Sequence, residues 1–489
     1  MEMERFGKHV AHIRLSAVIL GPMKRLVLVA AATAIAMTAF PAVGSATTLK
    51  RTVAQGFLGV DMDPWDSGDM REANISTQLD RAAAAGVESI RFPLYWFKIQ
   101  KYSSMARVPS SESANYIADP NDAAAAPYRW TELDYFIGEA AKRGIRVMPS
   151  IMGAPLWADD EAYTYDPTGT HGSASSPLRM NIPNNFDQYG AFVATLARRY
   201  GSSGSFWTGN PSITKIPVLS WQIWNEPDFS YYWPQHADQC VSTKNKTPHI
   251  CPADSRTHKE LSATLLKKAG EVKQYWAPTF VSLLRATRPK VKAVDPAAKI
   301  VLASLTNAGW IDLNFVYLAG GKGLFDAMGA NIFVATANTA KAVSYYRAAL
   351  KTAKDPNLPM IVTEFSWSSA ITNMPISSAF CPHAVALPAD PTQCKMKTIV
   401  TDEAGQSKNL GTAVDSYAKM ISSGHIIGLY WYSWASKNSG TDSIWDYSGL
   451  NSVTGSTVTA KPALATFTSR AMKLEGCKTK RVATACATK

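Results

Sequence analysis

The segment SWQIWNEPDFSYYWP (220–234) ends an apolar, aromatic run on a carboxylic acid, Glu226, followed at once by a proline. Trp221 and Trp224 precede the acid; Tyr231, Tyr232 and Trp233 follow it. Burying a charge is costly unless it is paired, so a strand that stops on a glutamate points to a carboxyl group in use. A second acid is placed the same way in IVTEFSWSS (361–369), where Glu364 closes an apolar run and Trp367 lies just beyond. Two carboxyl groups in a shared pocket suit cleavage of a glycosidic bond. One protonates the leaving oxygen, and the other attacks the sugar or activates water. A separation of about 5–5.5 Å corresponds to retention through a covalent sugar intermediate, and a wider one to inversion.

For the two glutamates to meet, the elements carrying them must bring the same ends together. Short β-rich runs alternate with Ala-rich helical stretches along the chain. GFLGVDMD, VESIRFPLYW, IRVMPSIMGA, IPVLSWQIWNEP, KIVLASLTN, MGANIFVAT, MIVTEF and HIIGLYWYSW read in order as eight strands. Helical spacing lies between several of them, as in WTELDYFIGEAAKRG and NFDQYGAFVATLARRYG, in a long zone from His258 to Val294, and after the last in KPALATFTSRAMKL. Alternation of this kind gives parallel βαβ units, and eight units predict a single α/β domain, a (β/α)₈ TIM barrel. An open doubly wound sheet is the other choice, but no Gly-rich phosphate loop follows the first strand. Long insertions at 97–128, 155–181, 229–257 and 367–410 all come after strands. That is the face on which barrels carry their sites, so these long βα loops are expected to wall a cleft. Glu226 closes the fourth strand and Glu364 the seventh.

With both placed, the chain resembles the clan A retaining glycoside hydrolases, the 4/7 superfamily. WNEP ending strand four, TEF ending strand seven and a third strand near PSIMGAPLWA are similar to families 39 and 5. The resemblance spans nearly the whole chain after residue 46. It implies Glu226 as acid/base and Glu364 as nucleophile. It also implies Arg91, in SIRFPLYW, as the cation beside the nucleophile, and Asn225 as the group that bonds the sugar 2-hydroxyl. Because adjacent strand residues point oppositely, Asn225 and Glu226 can both reach the pocket only if the strand end twists or bulges. Trp431 or Trp434, in GLYWYSWAS, resembles the tryptophan under the cleaved sugar, with Trp431 preferred. Trp157, Tyr232, Trp233 and Trp367 are candidate platforms further along the cleft, against the alternative of ordinary core packing. Relatives often carry His-x-Tyr at the end of strand six; here the chain reads Asn331-Ile332-Phe333. Another tyrosine, such as Tyr95, is a candidate replacement.

Within 489 residues, 50 basic and 38 acidic side chains give a net charge of +12, scattered except for a basic tail, CKTKRVATACATK. Nucleic-acid binding would need that charge clustered on one face, and a solvated surface is the reading preferred. MKRLVLVAAATAIAMTAFPAVGSA has the layout of a secretory signal with cleavage after Ala46. It divides the chain into an N-terminal extension and signal (1–46) and a catalytic domain (47–489), and predicts a secreted protein. A membrane anchor is the alternative for that run; no membrane association is expected once it is removed. The six cysteines fall as local couples, Cys240 with Cys251, Cys381 with Cys394, and Cys477 with Cys486. Neighbour pairing into disulfides is the simplest of fifteen possibilities. Zinc is not expected, since no C-x-x-C occurs. DMDPWDSGD (61–69) departs from a calcium loop and reads as a polar rim of strand one, with Asp61 or Trp65 as candidates to touch sugar. His171, His236, His249 and His258 read as surface residues, and a serine hydrolase is excluded for want of G-x-S-x-G. The sequence therefore predicts a monomer with a poly- or oligosaccharide substrate and neither cofactor nor metal. A transglycosylase and a non-catalytic carbohydrate-binding barrel are the alternatives.

Overall fold

The computed structural model describes residues 50–65, 72–118, 126–158, 182–228, 232–233, 239–241, 249–250, 273–274, 276–306, 309–370, 399–439 and 444–487. The amino-terminal extension lies outside them. The eight apolar runs become the strands of one closed parallel barrel, neighbours following chain order all the way round. They are β1 Leu58–Asp61, β2 Ser89–Tyr95, β3 Arg146–Met152 and β4 Ser220–Asn225. β5 Lys299–Leu305, β6 Ala327–Asn331, β7 Met360–Phe365 and β8 Ile426–Trp431 complete it. The expected fold is thus the observed one. Each strand is followed by a helix: α1 Glu72–Ala84, α2 Thr131–Lys142, α3 Phe186–Tyr200, α4 Trp276–Val294, α5 Gly309–Leu318, α6 Thr339–Thr352, α7 Glu403–Lys419 and α8 Pro462–Glu475.

Local chemistry starts and stops these helices. The Asn185 side chain accepts from the backbone N–H of Asp187 and Gln188, and Asp402 accepts from that of Gly405, so donors that an α-helix leaves orphaned are satisfied. Pro462 opens α8, where its missing N–H costs nothing, and Gly476 ends it at φ +69°, a left-handed value that glycine adopts freely.

The barrel interior changes character along its axis. Toward the strand N-termini Met148, Val301, Ala327, Ile361 and Tyr430 form a small buried apolar cluster. Gly59 makes room for it: a Cβ there would lie 2.8 Å from the Tyr430 ring and 2.4 Å from the Ser89 carbonyl oxygen. Toward the C-termini the buried positions turn polar, with Asp61, Arg91, Ser150, Gln222, Asn225, Ser304, Asn331 and Glu364. Register places several of these side by side across the ladder, Asp61 against Arg91, Asn225 against Ser304 and Asn331 against Glu364.

Below the barrel, a hairpin of Thr479–Val482 and Ala485–Ala487 is closed by the Cys477–Cys486 disulfide, Cα atoms 5.2 Å apart. It inserts Lys480, fully buried, between Glu88 and Glu475. Arg51 also pairs with Glu88, at 2.5 Å. Of the expected disulfides this is the one that can be seen; the side chains of Cys240, Cys251, Cys381 and Cys394 lie outside the described residues. No described helix is long and apolar enough to cross a membrane.

Candidate active site

Arg91 is the hub of the polar end of the barrel. Its Nη1 donates to Asp61 Oδ1 at 2.5 Å and to Glu364 Oε1 at 2.8 Å. Nη2 donates to Asn225 Oδ1 at 2.7 Å and Ser304 Oγ at 3.3 Å, and Nε to Gln222 Oε1 at 2.8 Å. A guanidinium has five N–H donors, and all five are engaged. Since β2 and β5 are not neighbours, the contact from Arg91 to Ser304 crosses the barrel interior. Gln222 in turn donates to Ser150, Ser304 and the Trp224 carbonyl. Asn225 gives its amide oxygen to Arg91, so its NH₂ is the part left to meet a ligand.

The end of β4 twists as its two adjacent polar residues require. Trp224 has φ +70° and Glu226 φ +42°, strained values for non-glycine residues that collect at functional sites. The twist brings Glu226 to the same cluster as Asn225. Its backbone N–H donates to the Ser304 carbonyl at 2.8 Å, extending the ladder beyond the strand.

Asn331, at the end of β6, lies between the two acids. Its Nδ2 donates to Glu226 Oε1 at 2.6 Å, and it stands opposite Glu364 in the β6–β7 register. Thr363 Oγ donates to Asn331 Oδ1 at 2.9 Å, which fixes the amide with its NH₂ toward the carboxylates.

The surroundings separate the two carboxyls. Burial, with the nearby charge of Glu364 adding to it, pushes Glu226 up to about 8, so the group holds its proton at neutral pH. Burial raises Glu364 as well, but Arg91 opposes it by charge and hydrogen bond. Among the described residues no cation bonds Glu226. The two carboxyls thus differ in surroundings, one buried and the other held by an arginine, which is the asymmetry that acid and nucleophile roles require.

The aromatic residues divide differently from the sequence expectation. Trp431 and Trp434 are fully buried, their indole N–H groups donating to the Ser448 carbonyl at 3.1 Å and to Gln78 Oε1 at 3.0 Å. Neither offers a face to a ligand; both are core residues. Trp233 is likewise buried, edge-on to Trp224 at 5.0 Å, and Trp367 packs on Trp431 at 6.3 Å. Trp157 and Tyr232 are half-buried on the C-terminal face. Tyr232 lies close enough to Glu226 and Glu364 to feel both charges. The half-exposed aromatic surface beside β8 belongs instead to Tyr432, Trp445 and Phe333. Trp445 sits 4.6 Å from Phe333 and 5.7 Å from Tyr432 between ring centroids, and Tyr432 also feels Glu364 and Glu226. Trp65 is half-buried with its indole N–H on the Pro93 carbonyl at 2.7 Å. Asp61 is buried against Arg91 rather than exposed to sugar. The four histidines singled out in the sequence lie outside the described side chains. Among the described residues no group of three or more His, Cys, Asp or Glu could hold a metal ion.

No family profile and no curated protein matches the chain. Solved structures do resemble it. A family 39 glycoside hydrolase from the gut symbiont Bacteroides cellulosilyticus WH2 is 16% identical with a TM-score of 0.47, over 86% of this chain and 65% of that one. A family 39 enzyme from Xanthomonas axonopodis pv. citri is 14% identical with a TM-score of 0.49, over 86% and 67%. A hyperthermophilic β-glucosidase from Pyrococcus furiosus is 13% identical with a TM-score of 0.48, over 87% and 97%. At these identities the likeness concerns the barrel, and this chain spans slightly less than two thirds of the first of these proteins.

Proposed function

We propose that the protein is a secreted, retaining glycoside hydrolase that cleaves O-glycosidic bonds of a poly- or oligosaccharide by double displacement. One observation carries this reading: at one end of the barrel Asn331 bonds Glu226, while Arg91 bonds Glu364 and not Glu226 among the described residues. In the first step Glu364 attacks the anomeric carbon as Glu226 passes its proton to the departing glycosidic oxygen. A covalent glycosyl ester forms and the aglycone leaves protonated. In the second step Glu226, now a carboxylate, takes a proton from water, which attacks the anomeric carbon and frees Glu364. A buried Glu226 that keeps its proton and a Glu364 held by Arg91 suit the acid and nucleophile of this route. The Asn225 NH₂ is oriented to bond a sugar hydroxyl, and Trp445 with Tyr432 and Phe333 offers an apolar surface for a sugar face. The amino-terminal layout supports export.

The test is a screen of the purified protein on plant and bacterial-wall polysaccharides, following new reducing ends and product size, with Glu364→Gln as control. Sugar release by the wild type and not by the variant is expected, and product length separates endo from exo action. Longer products in place of free sugar would identify transglycosylation. Binding without release would assign a carbohydrate-binding barrel and overturn the enzyme reading.

A further inference from the structure

Asp61 is the one carboxylate of this cluster that the two-step reaction leaves unemployed. It sits at the end of β1, its side chain 6% exposed, and its Oδ1 takes one hydrogen of the same Arg91 nitrogen whose other hydrogen goes to Glu364. Its Oδ2 is buried without a hydrogen-bond partner among the described residues. Leaving a buried carboxylate oxygen unsatisfied costs roughly 1–3 kcal/mol. An asparagine would present the same oxygen to Nη1, so what the aspartate adds at this position is a negative charge.

We propose that Asp61 is a positioning residue that divides the Arg91 guanidinium with Glu364 and thereby sets the charge of the floor beneath the reacting sugar. This rests on the glycosidase reading above. A guanidinium facing one carboxylate can bind it with two parallel N–H groups; here Nη1 is split, so Glu364 receives a single bond. With Asp61 and Glu364 both ionised, one cation faces two anions, and the excess negative charge lies beneath the carbon on which positive charge develops as the glycosidic bond breaks. When Asp61 is neutral the cation belongs to Glu364 alone. Burial raises the Asp61 carboxyl well above its ordinary range, Arg91 pulls it down and Glu364 adds to the rise, so this charge responds to pH. The titratable groups around it are Arg91 on β2, Glu364 on β7, Tyr430 and Tyr432 on and after β8, and Asp63 on its own segment.

Asp61→Asn keeps the oxygen on Nη1 and fixes the charge at zero. The experiment is the pH profile of kcat/KM for wild type and Asp61→Asn on one aryl glycoside and one natural substrate, with thermal midpoints recorded alongside. Removing a negative charge eases ionisation of the remaining acids, so the alkaline limb should move to lower pH by about half a unit or more. kcat should fall while KM holds, because Asp61 does not reach the sugar. Asp61→Ser, which leaves space for water beside Nη1, should move the limb the same way and serves if the asparagine variant folds poorly. Profiles that superimpose on the wild type in a folded variant would overturn the proposal and leave Asp61 a structural prop. A wild type that releases no sugar from any substrate would instead remove the glycosidase reading on which it rests.

Discussion

Replacing Glu226 by glutamine should make the protein more stable in alkaline solution, and by an amount that tests the site without knowledge of its substrate. A buried acid whose folded value is raised binds its proton more tightly folded than unfolded. Between the unfolded value near 4.5 and the folded value of about 8, the folded state holds the extra proton, so stability falls as pH rises through that window. The fall is complete above about 8 and absent below about 4. At about 1.4 kcal/mol per tenfold change in proton affinity, the interval corresponds to about 5 kcal/mol. Part of this belongs to the repulsion between Glu226 and Glu364, which glutamine also removes. Glutamine keeps an oxygen for the Asn331 amide, so little is lost in return. Urea unfolding of wild type and Glu226→Gln at pH 4 and pH 9 reads the difference directly. Near-equal stability at pH 4 and an advantage of about 2–5 kcal/mol to the variant at pH 9 are expected. A variant no more stable than wild type at pH 9 would mean that Glu226 is solvated, and its assignment as the proton donor would fall with it.

The roles of the acids can be told apart by leaving group. Glu226→Ala should slow hydrolysis of natural glycosides by about 10²–10⁴-fold while sparing the first step for activated aryl glycosides, whose leaving groups need no proton; equal losses on both would refute the acid role. Trp445→Ala should raise KM for a sugar substrate with a smaller effect on kcat. Trp434→Ala, a core deletion, should cost about 3–5 kcal/mol in urea unfolding instead. Beneath the barrel, Lys480→Met leaves Glu88 and Glu475 buried without their shared lysine. It should cost about 3–5 kcal/mol of stability at pH 8, and a variant as stable as wild type would show that solvent reaches the cluster.

The strands were legible because parallel strands buried on both faces read as nearly continuous apolar runs; MIVTEF matches β7 at both ends. α5 was harder. Its residues GWIDLNFVYL bury Asp312 and Asn314 along with apolar side chains and carry apolar residues round the rest of the surface, so no single stripe marks it as a helix. The two glutamates could be read because strand ends share one face of a barrel; Arg91 and Asn225 were implied by the resemblance that those glutamates carry. The role of Asn331 could not be read, since it depends on a register shift between Ala330 and Asn331 against β7, and slips in pairing leave no trace in composition. Tryptophan positions failed for a related reason. Trp431 reads on paper as a platform at the end of a strand, and the packing of Phe365 and Trp367 against it shows it to be core.

The ion cluster beneath the barrel also governs when the molecule can be complete. Lys480 lies 392 residues after the Glu88 it pairs with, and Thr52 bonds Leu474 across 422. A nascent chain that has emerged as far as Trp431 already has all eight strands, both glutamates and the arginine between Asp61 and Glu364. It still lacks α8 and the hairpin, and Glu88 awaits its lysine. The chemistry is made first and its foundation last, so a chain cut short near its end would carry every catalytic group on a floor that has not closed.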